Sequence, residues 1–338
     1  MEMNELRRAI VRSAVHKGIA EVREDPKRSI RKMVDLGMHF SRGRFQKVIF
    51  DSMQTALLDE DSAYYKMAMR MVQNVRPQYL EDFGMNIGYN SWTHGAQIIR
   101  EHEKEHGYNV PWCLVMDLRE HIQFDLDDLM TQGERLGIYS YFIFGGKVGE
   151  VAGIFPIFHK HRDCAIFLML ETAELPIVNI ENVGNVLLLL PKADEQTPAS
   201  TQELRARECC FGLWTCYDEH DVDNVLSGGL EEKAEELNAC IAFAVTKKDA
   251  EKDAQEKVKQ YAQKTRENKQ YVVFLADLIS DIIRIDKIIS VESCLLGINA
   301  DGTVFTEQGM KSNLSVCSIA LEDILLCTMP RVTYQSEE

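Results

Sequence analysis

The chain has no apolar run long enough to cross a bilayer. Its apolar runs, such as residues 186–190 and 272–276, are strand-sized, far short of the ~20 residues a spanning helix needs. The opening segment MEMNELRRAIVRS has no apolar signal core, so a cytoplasmic location is the default expectation and no membrane partner is expected. Positive charge is also short. The 38 Lys and Arg are outnumbered by 53 Asp and Glu, a formal net charge of −15, which argues against nonspecific nucleic-acid binding by the whole chain. Also missing are a G-x-S-x-G elbow, a Walker loop and a G-x-G-x-x-G turn, the usual signatures of serine hydrolases, P-loop enzymes and dinucleotide binders.

At 338 residues the chain fits a barrel-type domain of ~200–250 residues with an added helical segment. Charge is unevenly spread: residues 1–50 hold 12 Lys/Arg against 6 Asp/Glu, a net of +6. Such an arm suits an acidic partner or an acidic surface of its own barrel, and a solvated helical face is the simpler reading. Nine cysteines are present, but Cys113, Cys164, Cys240 and Cys294 sit in or beside apolar strand-like runs. A free cysteine there behaves as a small hydrophobe and not as part of a disulfide framework.

Periodicity divides the chain. Up to about residue 82 it reads as helices: Leu6, Ile10, Ala14, Ile19 and Val22 recur at helical spacing until Pro26 restarts the chain, and Phe45, Ile49, Met53 and Leu57 share one face. A third helix covers residues 62–75, where Met67 and Met71 share a face and serve best as core filler. From about Asn109 strands and helices alternate. WCLVMD is a buried strand; Asp125 caps a helix that Gly137 ends; IYSYFIF is the second strand. Pro156 should kink or end the next helix. CAIFLML, NVLLLLP, FGLWTCY and CIAFAVT continue as strands, YVVFLADL as a seventh extended run, and Ser200 with Glu203 offers a capping box. Continuously apolar strands alternating with helices predict a parallel sheet buried on both faces. About six units favour a partial, incomplete TIM-like β/α barrel, although a doubly wound sheet has the same periodicity. The run CLLGINADGTVFTE predicts a hairpin turning at residues 299–302, and residues 331–338 read as frayed.

Several segments, in order, resemble radical SAM (S-adenosylmethionine) proteins with an N-terminal helical leader and a C-terminal SPASM-like segment. They are REDPKRSIRKMVD at 23–35, FGMNIGYNSWTHGAQIIREHEKEHGYNVPWCLVMD at 83–117, GERLGIYSYFIFGG at 133–146, HRDCAIFLML at 161–170, LRARECCFGLWTCY at 204–217 and INADGTVFTE at 298–307. The resemblance covers nearly all the chain and implies three parts: a leader at 1–82, a partial radical-SAM-like barrel at 83–290 and a vestigial SPASM-like tail at 291–338.

The family's chemistry, as the resemblance implies it, is altered at every site. The loop after the first strand should carry C-x3-C-x2-C thiolates for a [4Fe–4S] cluster, yet no cysteine lies between Cys113 and Cys164. Gly145 and Gly146 match the start of a Gly-Gly-Glu turn, but Lys147 replaces the carboxylate, with Glu150 the nearby substitute. The polar turn after strand three is Glu171-Thr172-Ala173-Glu174, and strand four ends in Pro191-Lys192. Glu307 stands where an auxiliary-cluster cysteine is expected. A vestigial pocket would be Gly145, Gly146 and Glu171.

Other ligand sets are weaker. Adjacent Cys209 and Cys210 point to opposite faces of a strand, so together with Cys216 and His220 they read as core thiols rather than a metal knuckle. His159 and His161, with Asp163 and Cys164, read as a solvated helix end beside Lys160 and Arg162. Glu101, His102, Glu103 and His106 give the i, i+4 spacing of H-E-x-x-H but not the apolar helix that zinc peptidases use.

The sequence therefore predicts a pseudoenzyme without catalytic residues, resident metal or resident cofactor. Its expected partner is a protein, either an active radical SAM relative or that relative's substrate. One rival is a module that binds S-adenosylmethionine or a nucleoside at the strand mouth. Another is an active enzyme whose [4Fe–4S] cluster uses scattered cysteines such as Cys113 with Cys209 or Cys216. Homo-oligomerisation is compatible with all three.

Overall fold

A computed structural model describes residues 2–40, 44–59, 61–176, 183–290 and 292–331. Six helices come first: α1 (Glu2–Glu24), α2 (Pro26–Phe40), α3 (Arg44–Ala56), α4 (Ala63–Asn74), α5 (Pro77–Gly84) and α6 (Ala96–His106), with α5 running into α6 through a π-helical segment, Met85–Gly95. Alternation follows with β1 (Cys113–Leu118), α7 (Leu126–Leu136), β2 (Ser140–Gly145), α8 (Val148–Lys160), β3 (Ala165–Leu170) and β4 (Val186–Pro191). It continues with α9 (Thr197–Ala206), β5 (Phe211–Tyr217), α10 (Val222–Leu226), α11 (Gly229–Leu237), β6 (Ile241–Thr246), α12 (Lys252–Asn268), β7 (Phe274–Asp277) and α13 (Leu278–Ile289). β8 (Leu296–Asn299), β9 (Thr303–Thr306), β10 (Gly309–Ser315) and α14 (Leu321–Thr328) finish the described chain. Most of the expected frayed end, residues 332–338, lies outside it. No helix among the described residues is long and apolar enough to cross a membrane.

Strand order resolves the ambiguity of the periodicity. The sheet runs β10-β9-β8-β1-β2-β3-β4-β5-β6-β7, and β1 to β7 are parallel neighbours in sequence order. A doubly wound sheet reverses its order at a switch point; β1 to β7 do not. The sheet is also curled. Phe142 on β2 and Phe167 on β3 stack at 4.5 Å, and Phe243 on β6 lies 5.9 Å from each. Four strand spacings of a flat sheet would hold β2 and β6 ~19 Å apart, so these rings meet inside an arc. The fold is an open, partial parallel β/α barrel with seven strands in its arc, one more than the roughly six units expected. α13 carries the chain from β7 back to β1: Trp112 Nε1 donates to the Ile282 carbonyl at 3.2 Å and Trp112 N to Asp286 Oδ1 at 3.3 Å. The predicted hairpin forms as β8 and β9, with β8 also pairing parallel to β1.

Helices α4 to α6 cross beneath the N-terminal ends of the strands and satisfy carbonyls there. Arg70 reaches the Ala239 carbonyl at 2.7 Å and also the Val272 carbonyl. Tyr79 donates to the Val186 carbonyl at 2.6 Å, Asn86 to the carbonyls of Arg162 and Cys164, and Asn90 to that of Asp163. A buried carbonyl needs a partner, and the side chains of this strap supply them. The basic N-terminal arm docks on its own chain: Arg8 pairs with Asp163, and Arg12 with Asp82 and, at 2.7 Å, with Glu81.

Two local expectations are corrected and one is narrowed. Of the two outcomes expected at Pro156, ending the helix does not occur: α8 runs through it to Lys160. Ser200 and Glu203 do not start a helix, because α9 begins at Thr197 and Ser200 Oγ instead donates to the Ala173 carbonyl at 2.6 Å. His161 is not solvated. It is 4% exposed, with Nδ1 2.8 Å from Glu134 Oε1 and Nε2 2.9 Å from Asp127 Oδ1, so it fastens the end of α8 to α7.

Candidate functional site

Side chains alternate along a strand, so Phe144 shares the interior face of Phe142, and Asp117, paired in register with Phe144, shares it too. These residues open onto the C-terminal mouth of the arc, where α/β proteins place their chemistry. Gly145 and Gly146 lie at the end of β2 and Glu171 directly after the neighbouring β3. Lys147 is the N-cap of α8, and Glu150 sits exposed in that helix's first turn.

The centre of this mouth is a residue with no signal in the sequence. Arg119, on the loop after β1, grips Asp117 with Nε at 2.8 Å from Oδ1 and Nη2 at 2.6 Å from Oδ2. Its guanidinium lies 5.9 Å from the centroid of Phe144, whose ring packs edge-on against Trp214 at 5.7 Å. Trp214 Nε1 donates to the Leu170 carbonyl at 2.9 Å, which fixes the indole across β3 and β5. The hydrogen-bonded Asp117 carboxylate holds the Arg119 pKa above its usual value against burial, and Glu171 and Cys216 add to that field. Burial pushes the Cys216 thiol up, while Arg119 and Lys247 draw it back down. Beyond β6, Lys247 bonds Asp218 at 2.8 Å and also Asp221, and Lys247 is the main cause holding the Asp218 carboxyl down at about 2.

Gly146 is where the glycine pair matters most. A Cβ there would stand 2.7 Å from the Arg119 carbonyl oxygen and 3.0 Å from its carbon. The close backbone approach that a glycine permits is taken by the chain's own β1 loop. Gly145 likewise packs against Val151 and Leu168.

The residues present do not fit a [4Fe–4S] cluster. Residues 118–124 bring no thiol to the mouth. Cys113 begins β1, five residues below Leu118, or ~16 Å along the strand, and burial pushes its thiol well up. Cys209 and Cys210 precede β5 at that same lower end. There the Cys210 and Cys240 sulfurs lie 2.8 Å apart, and this contact together with burial raises the Cys210 thiol. Low-pKa, exposed thiols make good ligands; Cys113 and Cys210, buried and raised, are the reverse. Cys216 reaches the mouth, but Cys113 and Cys209 do not join it. S-adenosylmethionine fits poorly as well, since Arg119 occupies the Gly146 approach and Lys147 is a cation where the resemblance implies a carboxylate.

Fold and site together define an open, sequentially wound parallel β/α arc, strapped below by helices and carrying at its mouth an Asp–Arg pair on an aromatic ledge. No protein-family model matches the chain, and no curated protein matches it significantly. Among solved structures it is similar to Streptococcus suis SuiB bound to precursor peptide SuiA, with a TM-score of 0.48 and 10% identity over 67% of this chain and 68% of that one. SuiB bound to S-adenosylmethionine gives 0.48 and 9% identity over 70% and 69%. A further SuiB structure gives 0.47 and 9% identity over 87% and 78%. The fold assignment rests on this chain's own strand order and ring contacts.

Proposed function

We propose that the chain is a radical-SAM-like pseudoenzyme that carries no iron–sulfur cluster and acts as a partner or regulatory subunit of an active relative or of that relative's substrate. The observation that carries this reading is the Arg119 carbonyl seated against Gly146, on a β1 loop without a thiol. In this reading the barrel is kept as a scaffold, the hairpin of β8 and β9 is a remnant of a SPASM-like tail, and the glycine approach at the mouth is filled by the chain's own β1 loop. A fold and the chemistry once built on it are separable in this way. Leu6 and Ile10 of α1, 63% and 49% exposed, stand one helical turn apart and give a protein partner an apolar foothold.

The test is iron and acid-labile sulfide content after anaerobic purification and cluster reconstitution. Iron and sulfide far below one cluster per chain are expected. A stoichiometric [4Fe–4S] spectrum overturns the proposal and sends attention to Cys113, Cys209 and Cys216. In parallel, saturating S-adenosylmethionine should leave the melting temperature unchanged, because a ligand that binds the folded state raises it. A clear upward shift would replace the partner reading with a ligand-binding one.

A further inference from the structure

The H-E-x-x-H run that lacked a context in the sequence acquires one in three dimensions. His102 and His106 lie on the last turns of α6 with their rings stacked at 4.9 Å. The fold brings Glu322, in the first turn of α14 and 216 residues further on, to the same point. One ligand atom from each of the three lies within 4.8 Å of the others. We infer that His102, His106 and Glu322 form a zinc site that fastens α14 to α6.

Four observations besides proximity support it. His106 Nδ1 lies 3.1 Å from the His102 carbonyl oxygen. Donation there leaves Nε2 as the nitrogen with a free lone pair, the arrangement that metal-binding imidazoles adopt. His102 carries a buried Nδ1 without a hydrogen-bond partner among the described residues, an unsatisfied polar atom of the kind that folded proteins rarely tolerate. Tyr108 donates its hydroxyl to Glu322 Oε1 at 2.9 Å, orienting the carboxylate as an outer-shell partner does. Finally, the histidines occupy the C-terminal end of α6, where the helix dipole favours a cation.

The donor set selects the metal. Two imidazoles and one carboxylate suit Zn²⁺, with water completing a tetrahedron, whereas Mg²⁺ and Ca²⁺ prefer all-oxygen sites. Bonds of ~2.0–2.1 Å place tetrahedral ligands about 3.4 Å apart, so the three atoms close by up to about 1.4 Å on binding. His106 and Glu322 are exposed, so small side-chain rotations can supply this movement. The site is not a peptidase centre. Glu103, the glutamate of the H-E-x-x-H run, is 2% exposed and accepts from Val110 N at 3.3 Å, so it is engaged in the core. The metal instead reinforces a junction already held by Asn109 N donating to the Met329 carbonyl and Arg331 N to the Gly107 carbonyl, both at 2.9 Å.

The test is titration of chelator-treated full-length protein with Co²⁺, followed by displacement with Zn²⁺. One equivalent of Co²⁺ should bind per chain and give visible ligand-field bands without thiolate charge transfer, which separates this site from the nine cysteines. His106→Gln and Glu322→Gln, both at exposed positions, should abolish stoichiometric binding while retaining the native circular dichroism. Tyr108→Phe should weaken binding about tenfold. Zn²⁺ should raise the melting temperature of the parent protein and of neither ligand variant. Absence of binding by the parent overturns the inference, as does a cobalt spectrum dominated by thiolate or binding unchanged in both ligand variants.

Discussion

Replacing Asp286 by asparagine should make the protein more stable, and by an amount that depends on pH. Asp286 lies on α13 with no exposed surface, accepting from Trp112 N at 3.3 Å with the Cys294 thiol beside it. Burial dominates these contacts and pushes its carboxyl from 3.8 up to about 7. A carboxyl raised in the folded state costs nothing below its unfolded pKa. The cost grows as pH climbs toward the folded pKa and is complete above it. One pKa unit is about 1.4 kcal/mol, so the titration of Asp286 opposes folding by ~4 kcal/mol at about pH 8 and ~2 kcal/mol at about pH 5.5. The amide keeps the shape and the acceptor for Trp112 without titrating, and its changed hydrogen bonding adds an offset independent of pH. Equilibrium urea unfolding of Asp286→Asn and the parent should therefore show a stability difference that shifts by ~2 kcal/mol in favour of the variant between those two pH values. A difference that stays flat across the range would refute the reasoning, because it would mean that Asp286 titrates alike in the folded and unfolded chain.

Two further substitutions test the architecture. Phe167→Ala removes the ring stacked on Phe142 and facing Phe243 and should cost ~3–5 kcal/mol in urea unfolding; a loss below about 1 kcal/mol would mean that the sheet does not close around that ring. Gly95→Ala places a Cβ 2.3 Å from the Gly137 carbonyl oxygen and 2.9 Å from that of Asn90, neither of which can rotate away. A destabilisation of ~1–3 kcal/mol is expected, and a neutral result would show that the π-helical segment and α7 stand further apart.

β1 to β7 were legible because each is a largely apolar run, and no amphipathic helix of that length presents the same unbroken run. The Asp125 cap, accepting from Asp128 N at 3.0 Å, and the left-handed Gly137 at φ 91° were legible because capping chemistry is local. The π-helical segment was not. Asn86 and Asn90 take their partners from residues 162–164, and no sequence window includes both. α13 and α14 were missed because their burial depends on elements distant in sequence, and β10 because its residues are polar and none is buried. Of the candidate site, Gly145, Gly146 and Glu171 were named as a vestigial pocket, and the structure places them at adjacent strand ends. Arg119 was missed: an arginine two residues past a strand aspartate is ordinary, and its role arises from Phe144 and Trp214, which other strands deliver. His161 and Ser200 were misread for a related reason, since a polar residue at a helix boundary looks solvated until its partners on α7 or in the turn after β3 are known.

The strap beneath the strands also has a consequence in time. Ribosomes finish α4 before the strands, yet Arg70 finds its acceptors 169 and 202 residues later, at Ala239 and Val272. Until the sixth and seventh strands emerge, that arginine has no seat and the base of the arc has no floor. Contacts of such long sequence separation slow folding, because the intervening chain must be ordered before they form. A nascent chain halted before β7 therefore holds completed helices with part of their docking surface still unmade, and α4 settles only after strands made well after it.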